Sequence, residues 1–216
     1  MPLFHCSAIL FDLDGVLVNS IPAILQIWPQ WARENGIAPE RALEAIHGRR
    51  TGEVLRLLAP HLDIEREVWK IEHGITEVTK KSPPIVGAAE LLAAIPEGRW
   101  AVVTSGIYDL AVERLRGAGL PVPKVLISAD DVAKGKPDPE PYLKGAQRLA
   151  VASQECLVIE DAVLGIQAAH AAGMKAIALA STHPAEELSE ADAVADSLAK
   201  IRVRSHGPSQ MEVVVG

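Results

Sequence analysis

The sequence predicts an α/β protein, with a parallel sheet covered by helices and an all-helical insertion after the first strand. Short apolar runs that indicate buried strands recur along the 216 residues, and helical patterns lie between them. Strands that alternate with helices are typical of βαβ units, whose parallel sheets are buried on both faces. Residues 19–84 interrupt this alternation because they contain no comparable strand, which predicts a separate helical unit.

Each predicted strand of the sheet is a short apolar run. The runs are residues 7–11, 100–103, 125–127, 157–159 and 176–179. Helical patterns follow at residues 108–118, 141–150 and 162–172. Gly173 suits the position after the last of these helices, where a residue in the left-handed conformation is common. The C-terminal residues predict a hairpin, with strands at residues 201–204 and 211–215 and a turn at residues 205–210.

The insertion predicts a small helical bundle. Its helices are expected at residues 21–35, 39–46, 51–58 and 63–80. Pro29 falls inside the first helix and should kink it, because proline lacks the N–H that would bond to the preceding turn. Trp28, Trp31 and Trp69 are expected in the core of the bundle, with the lining of a substrate site as the alternative.

The predicted division is a sheet domain of residues 1–18 and 85–216 and a helical domain of residues 19–84. The helical domain carries nine basic and nine acidic residues, so the net charge of −7 falls on the sheet domain. Hydrophobic residues make up 49% of the chain, which excludes a disordered protein. The acidic excess also argues against a nucleic-acid partner, which would favour a positive surface.

No segment predicts a membrane span or a secretory signal. Cys6 and Cys156 lack the spacing of metal ligands, so we expect two reduced, buried thiols in a cytoplasmic protein. Four histidines also lack ligand spacing: His61, His73 and His183, expected at the surface, and His170, expected to be structural.

Two carboxylates, Asp12 and Asp14, come directly after the first predicted strand and are followed by Gly15. In open α/β sheets, binding sites form beyond the carboxyl ends of the strands. Carboxylates in that place suit a hard cation such as Mg²⁺, which prefers oxygen ligands. Taken alone, the pattern is equally typical of a turn, because Asp and Gly are ordinary turn residues.

Three further polar segments follow predicted strands. They are Thr104-Ser105-Gly106, Gly135-Lys136-Pro137 and Glu160-Asp161. Hydroxyl and backbone N–H groups in the first segment could bind phosphoryl oxygens. Prolines 137, 139 and 141 stiffen the loop that holds Lys136. The acidic pair in the third would be costly to bury unless a cation offset its charge.

In this order, the four motifs are similar to those of the haloacid dehalogenase superfamily, and the resemblance covers nearly the whole chain. Residues 100–106 and 135–145 resemble its branch of small sugar-phosphate and polyol-phosphate phosphatases, which includes glycerol-phosphate and 2-deoxyglucose-6-phosphate phosphatases. The resemblance implies a Rossmann-like core with a helical cap of the C1 type, matching residues 19–84. Val16 and Asn19 depart from that branch, where Thr and Asp are commoner.

The resemblance also implies a Mg²⁺-dependent hydrolysis of small phosphorylated sugars or polyols through an aspartyl-phosphate. It implies Asp12 as the nucleophile, Asp14 as the general acid and base, and Thr104 and Lys136 as holders of phosphoryl oxygens. The implied substrate-binding residues are Thr104, Ser105 and Gly106. The implied metal ligands are Asp12, Asp14 through its backbone carbonyl, Asp161, and Glu160 directly or through water.

Gly48 and Arg49, between two predicted cap helices, are the candidates for substrate specificity. The resemblance leaves open a sugar-phosphate mutase of the β-phosphoglucomutase type, or a catalytically silent regulator that binds phospho-ligands. It implies a small phosphorylated metabolite as partner and a monomer or weak dimer. It also implies a cis bond between Lys136 and Pro137 and neighbouring strands at Cys6 and Cys156, which would bring these thiols close without a disulfide.

Overall fold

A computed structural model describes residues 1–46, 48–80, 82–207 and 210–216. The strands in these ranges are β1 (Leu3–Cys6), β2 (Ala8–Phe11), β3 (Trp100–Val103), β4 (Leu126–Ile127), β5 (Cys156–Glu160), β6 (Lys175–Leu179), β7 (Ala193–Ala195), β8 (Ile201–Ser205) and β9 (Met211–Val215). Six of them form a parallel sheet in the order β4-β3-β2-β5-β6-β7. Both central strands, β2 and β5, are buried along their whole length. The predicted fold class is confirmed.

Helices cover both faces of this sheet. The α-helices within the described ranges are α1 (Ile21–Glu34), α2 (Pro39–Ile46), α3 (Thr51–Leu58), α4 (Ile64–Thr79), α5 (Ala88–Ala93), α6 (Tyr108–Gly117), α7 (Glu140–Leu149) and α8 (Val163–Ala171). Phe11 belongs to an apolar cluster with residues of α5 and α6, and its neighbour Leu10 belongs to another with residues of α7 and α8. This alternation follows from the two-residue period of a strand. None of the helices within the described ranges is long and apolar enough to cross a membrane.

A small antiparallel sheet, in the order β1-β9-β8, lies beside the parallel one. It contains the predicted C-terminal hairpin, although the turn residues Pro208 and Ser209 lie outside the described residues. Strand β1 was not predicted, because its four residues alternate between exposed and buried positions and form no continuous apolar run. Cys6 therefore ends β1 and does not begin a strand of the parallel sheet, which corrects the prediction.

Cys6 and Cys156 are nevertheless close together. Both are free, buried thiols, and Ala8, two residues after Cys6, pairs with Cys156 across β2 and β5. Burial raises the pKa of Cys6 to about 12, and the nearby Cys156 adds to the effect. Such thiols are weak nucleophiles and serve as packing residues.

The four inserted helices share an apolar cluster of their own. Trp28 and Trp31 are buried in it and meet edge to face, with ring centroids 5.5 Å apart. Trp69 does not belong to it: the side chain is 58% exposed and stacks on His73, which corrects the prediction. The buried stripe of α4 follows Val68, Ile71 and Ile75, at the spacing of three and four residues that defines a helix face, and Trp69 lies beside it.

Candidate active site

The motifs predicted from the sequence meet at the carboxyl edge of the parallel sheet. Asp12 follows β2, Thr104 follows β3 and Glu160 ends β5, and these three strands are neighbours in the sheet. Neighbouring parallel strands end at the same edge, so their terminal side chains converge. A cavity of about 170 Å³ lies there, between the edge and the inserted helices.

Lys136 supplies a buried cation to this edge, at 2% exposure, and its bond to Pro137 is cis as predicted. Its Nζ donates hydrogen bonds to Asp12 Oδ1 at 2.5 Å, Glu160 Oε1 at 2.6 Å and the carbonyl of Val103 at 3.2 Å. Burial alone would lower the pKa of Lys136, but the charges of Asp12 and Glu160 raise it well above its ordinary value. The ammonium group therefore stays charged and fixed between two carboxylates.

Three buried carboxylates, those of Asp12, Glu160 and Asp161, have oxygens within 4.8 Å of one another. Burial raises the pKa of Asp12 to about 7, although Lys136 opposes the shift. Burial and the charge of Glu160 raise the pKa of Asp161 well above its ordinary range. One ammonium group does not neutralise three carboxylates. A hard divalent cation with oxygen ligands fits this donor set.

Two glycines let these carboxylates approach the backbone. Gly15 has φ +86°, and a Cβ there would lie 2.1 Å from Asp161 Oδ2. A Cβ on Gly165, in the first turn of α8, would lie 1.8 Å from Glu160 Oε1. Any larger residue at either position would displace a carboxylate of the cluster, which explains the need for glycine.

Glu160 is held by four donors. Its Oε1 accepts from Lys136 and from the hydroxyl of Tyr142 at 2.9 Å. Its Oε2 accepts from the backbone N–H groups of Asp161 and Ala162, at 2.9 and 3.0 Å. Tyr142 was not predicted as a site residue, because its only sequence signal is its place directly after the proline-rich loop that carries Lys136.

Asp14 faces the same cavity and is bound by a residue that the sequence analysis also missed. Its Oδ2 accepts a hydrogen bond from Arg114 Nη1 at 2.9 Å. Its Oδ1 is buried and has no hydrogen-bond partner among the described residues. Arg114 belongs to α6, where it lies on the buried face with Leu110, Ala111 and Leu115. The sequence signal that could have identified Arg114 is a charged residue at a position where the helical pattern predicts a buried one.

Arg114 also binds the inserted helix α4. Its Nη2 donates to Glu72 Oε2 at 2.5 Å and its Nε to Thr76 Oγ1 at 3.0 Å. Glu72 in turn accepts from the hydroxyl of Thr51, on α3, at 2.5 Å. Burial would lower the pKa of Arg114, but Asp14 and Glu72 outweigh that effect and raise it.

Thr104, Ser105 and Gly106 form the loop after β3. The N–H of Gly106 donates to Thr104 Oγ1 at 3.0 Å. The hydroxyl of Ser105 donates to the carbonyl of Gly48 at 3.1 Å, which connects this loop to the insertion. Gly48 and Arg49, the candidates for substrate specificity, both line the cavity. His47, beside them in sequence, lies outside the described residues.

The remaining walls come from two sources. The loop after β6 contributes Thr182 and His183, which hydrogen-bond to the carbonyl of Asp161 at 2.8 and 3.0 Å. His183 was expected at the surface but lies half-buried at the cavity, because this loop ends at the same sheet edge. The apolar wall comes from the inserted helices and consists of Ile21, Ile24, Leu25, Trp28, Ile46 and Ile75. Trp28 therefore serves both the core of the bundle and the lining of the cavity.

Known proteins share this sequence and fold. Hexitol phosphatase A of Escherichia coli is 42% identical over 207 residues, which cover 92% of this chain and 94% of that protein. Glycerol-1-phosphate phosphohydrolase 2 of Saccharomyces cerevisiae is 36% identical over 221 residues, covering 96% of this chain and 88% of that protein. The crystal structure of a hydrolase from Pseudomonas syringae matches with a TM-score of 0.77 and 28% identity, covering 89% of this chain and 94% of that chain.

The family model for haloacid dehalogenase-like hydrolases matches residues 6–173. This range includes the motifs that carry Asp12, Thr104, Lys136 and Glu160, all of which converge at the sheet edge. By its sequence and its fold, the chain belongs to the haloacid dehalogenase-like hydrolase family.

Proposed function

We propose that this protein hydrolyses small phosphorylated sugars or polyols, in a Mg²⁺-dependent reaction through an aspartyl-phosphate. The observation that carries the proposal is the pairing of Asp12, bound to Lys136, with Asp14, whose Oδ1 is unpaired among the described residues at the same cavity. A nucleophile and a proton donor at one cavity are what displacement at phosphorus requires. The named activities of the two relatives support phosphorylated polyols as substrates.

In the first step, a carboxylate oxygen of Asp12 attacks phosphorus in line with the ester oxygen. The bond between phosphorus and Asp12 forms while the bond to the leaving oxygen breaks, and Asp14 gives that oxygen its proton. In the second step, Asp14 takes a proton from a water molecule that attacks the aspartyl-phosphate. The bond between phosphorus and Asp12 breaks as the bond to the water oxygen forms, so Asp12 and inorganic phosphate are released and both residues return to their starting states.

Charge neutralisation supports both steps. Lys136 lies beside Asp12 and would bind one phosphoryl oxygen of the substrate. Thr104 and the loop that follows it would bind a second phosphoryl oxygen. Asp12, Asp161 and the backbone carbonyl of Asp14 would hold Mg²⁺, with Glu160 nearby. A bound Mg²⁺ supplies positive charge to the phosphoryl oxygens and offsets the acidic cluster.

We propose residues 19–84 as the cap and residues 1–18 and 85–216 as the core. The separate apolar cluster of the inserted helices supports this division. The contact between Ser105 and Gly48 supports a cap that closes on the phosphate-binding loop. A mutase would share these core residues and differ in excluding water from the aspartyl-phosphate. Both relatives are named as phosphatases or phosphohydrolases, which favours hydrolysis.

The deciding experiment incubates the purified protein with Mg²⁺ and a panel of phosphorylated sugars and polyols, and measures released phosphate. We expect release from several substrates, none with Asp12→Asn, and none in excess EDTA. Glucose 1-phosphate separates the alternatives, because a mutase would convert it to glucose 6-phosphate without releasing phosphate. Release that survives Asp12→Asn would overturn the proposal.

We propose a cytoplasmic location for this protein. The free thiols of Cys6 and Cys156 support it, because thiols stay reduced in the cytoplasm.

We also infer a monomer or weak dimer. The mass in solution, measured over a range of protein concentrations, tests this inference, and a stable higher oligomer would contradict it.

A further inference from the structure

We propose that Arg114 is a positioning residue for Asp14 and that Glu72 holds Arg114 in place, so that proton transfer to the leaving group depends on the packing of α4 against α6. The inference deepens the proposed function and rests on it. Neither Arg114 nor Glu72 belongs to the four motifs, and both line the cavity.

The guanidinium group of Arg114 is fixed on every side. At 2% exposure, it uses Nη1 for Asp14, Nη2 for Glu72 and Nε for Thr76, at 2.9, 2.5 and 3.0 Å. Because the guanidinium group is planar and its donors point in fixed directions, three such partners define its position and its plane. It therefore provides a rigid support for the carboxyl group of Asp14.

Because of this support, the two carboxylate oxygens of Asp14 have different roles. Oδ2 is held by Arg114, whereas Oδ1 is buried without a hydrogen-bond partner among the described residues. A buried polar oxygen favours a partner, and Asp14 lines the cavity that would receive the substrate. The leaving oxygen of a bound phosphate ester is the natural partner of Oδ1, which would carry the proton that this oxygen receives.

Glu72 connects this support to the insertion. Its Oε1 accepts from Thr51 on α3 and its Oε2 from Arg114 on α6, so the chain of contacts runs from two inserted helices to the loop after β2. The single positive charge of Arg114 lies between two carboxylates, Asp14 from the loop after β2 and Glu72 from α4. Moving α4 away would remove one of these carboxylates and release the guanidinium group.

The test compares two substrates that differ in their leaving group. A polyol phosphate needs a proton on its leaving alkoxide, whereas p-nitrophenyl phosphate releases a stable phenolate without one. We expect Arg114→Met to lower kcat/KM for the polyol phosphate about 100-fold, since misplacing a general acid costs that order of rate. For p-nitrophenyl phosphate, we expect kcat/KM to change by less than about 3-fold, because kcat/KM covers only the steps through release of the phenolate, before Asp14 acts as a base on water.

Two further variants complete the design. Glu72→Gln keeps the shape of the buried cluster, and we expect a loss of about 10-fold in kcat/KM, confined to the polyol phosphate. It tests the inference even if Arg114→Met does not fold. Arg116→Met, on the exposed side of the same helix, is the matched control and should change neither rate.

A double mutant identifies the partner through which Arg114 acts. In an Asp14→Asn background, Arg114→Met should add less than about 3-fold to the loss, because residues that act as a unit are not additive. Equal losses on both substrates, a change in KM alone, or additive losses would overturn the inference and leave the proposed function intact. If the unaltered protein hydrolysed neither substrate, the proposed function would fail and the inference with it.

Discussion

Tyr142 shows how a single side chain organises the charged groups around it. The residue is fully buried, its hydroxyl donates to Glu160 Oε1 at 2.9 Å, and Lys136 Nζ lies 5.2 Å from the centre of its ring. Burial and the charge of Glu160 raise the pKa of Tyr142 well above its ordinary value, so the hydroxyl keeps its proton. It therefore acts as a permanent donor to Glu160.

We predict that Tyr142→Phe lowers the free energy of unfolding by about 1.5–3 kcal/mol, the range for a hydrogen bond to a charged group. The ring is retained, so the loss reports the hydroxyl alone. Tyr108→Phe is the matched control, because Tyr108 is 43% exposed and should change stability little. Chemical denaturation of the three proteins measures the difference, and equal stability of Tyr142→Phe and the unaltered chain would contradict the prediction.

At the scale of elements, helix α8 is seated by a glycine that lies against Glu160. A Cβ on Gly165 would lie 1.8 Å from Glu160 Oε1, whereas a Cβ on Gly52, in α3, would find its nearest neighbour at an ordinary 3.4 Å. We predict that Gly165→Ala destabilises the fold by about 1–3 kcal/mol, as overpacking does. Gly52→Ala should be neutral or stabilise it by up to about 1 kcal/mol, because alanine favours helices.

Thermal unfolding and phosphate release measure this pair of variants. Gly165→Ala should lose activity together with stability, since the displaced Glu160 also contacts Lys136. Gly52→Ala should keep its activity. A Gly165→Ala protein with unchanged melting temperature and activity would show that α8 can shift without cost.

Asp192 joins helix α8 to strand β6. It binds Lys175 at 2.8 Å, the N–H of Ala176 at 2.9 Å and His170 at 3.1 Å, which agrees with a structural role for His170. Burial alone would raise the pKa of Asp192, but these three partners lower it from 3.8 to about 2. Because the folded state binds this proton more weakly than the unfolded state does, ionised Asp192 stabilises the fold above about pH 4.

We predict that Asp192→Asn is less stable than the unaltered chain at neutral pH. The difference should stay constant down to about pH 4 and shrink as the pH falls toward 2, where the carboxylate gains its proton. Melting temperatures of both proteins across pH 2–7 measure this convergence. A difference that remained the same at pH 2 and pH 7 would contradict the assignment.

At the scale of the whole molecule, the net charge of −7 lies outside residues 19–84, and part of it is concentrated at the sheet edge. Burial raises the pKa of Asp12 from 3.8 to about 7, so without a cation this group makes the fold less stable as the pH rises from about 4 to 7. A divalent cation competes with these protons and removes the repulsion.

We predict that Mg²⁺ raises the melting temperature, and by more at pH 8 than at pH 6, because protons and cation compete for Asp12 and Asp161. Asp161→Asn should lose most of this gain, whereas Asp109→Asn, an exposed carboxylate on α6, should keep it. Thermal shifts with and without Mg²⁺ at both pH values provide the measurement. A gain independent of pH, or retained in Asp161→Asn, would argue against a cation at this cluster.

From neighbouring residues alone, the sequence predicted the four motifs and most of the strands and helices, although β1, β7 and α5 were not predicted. The apolar run before Asp12 predicts a buried strand and a polar group at its end, since both features are local. The periodic patterns likewise predicted the helices of the insertion to within two residues at each end. The prediction for Trp69 was wrong because it was based on the residue type alone. A tryptophan beside an apolar stripe and one within it are the same residue type and differ only in their position on the helix.

The contacts between distant groups follow from how the helices and strands pack. Arg114 binds Asp14 and Glu72 across separations of 100 and 42 residues, and Lys136 binds Asp12 across 124. Strand and helix patterns arise from contacts within a few residues, so they leave a trace in the local sequence. An ion pair between two elements depends on how those elements pack, so the local sequence around one partner does not indicate the other. The four motifs could therefore be predicted from the sequence, whereas the hydrogen bond between Arg114 and Asp14 could not.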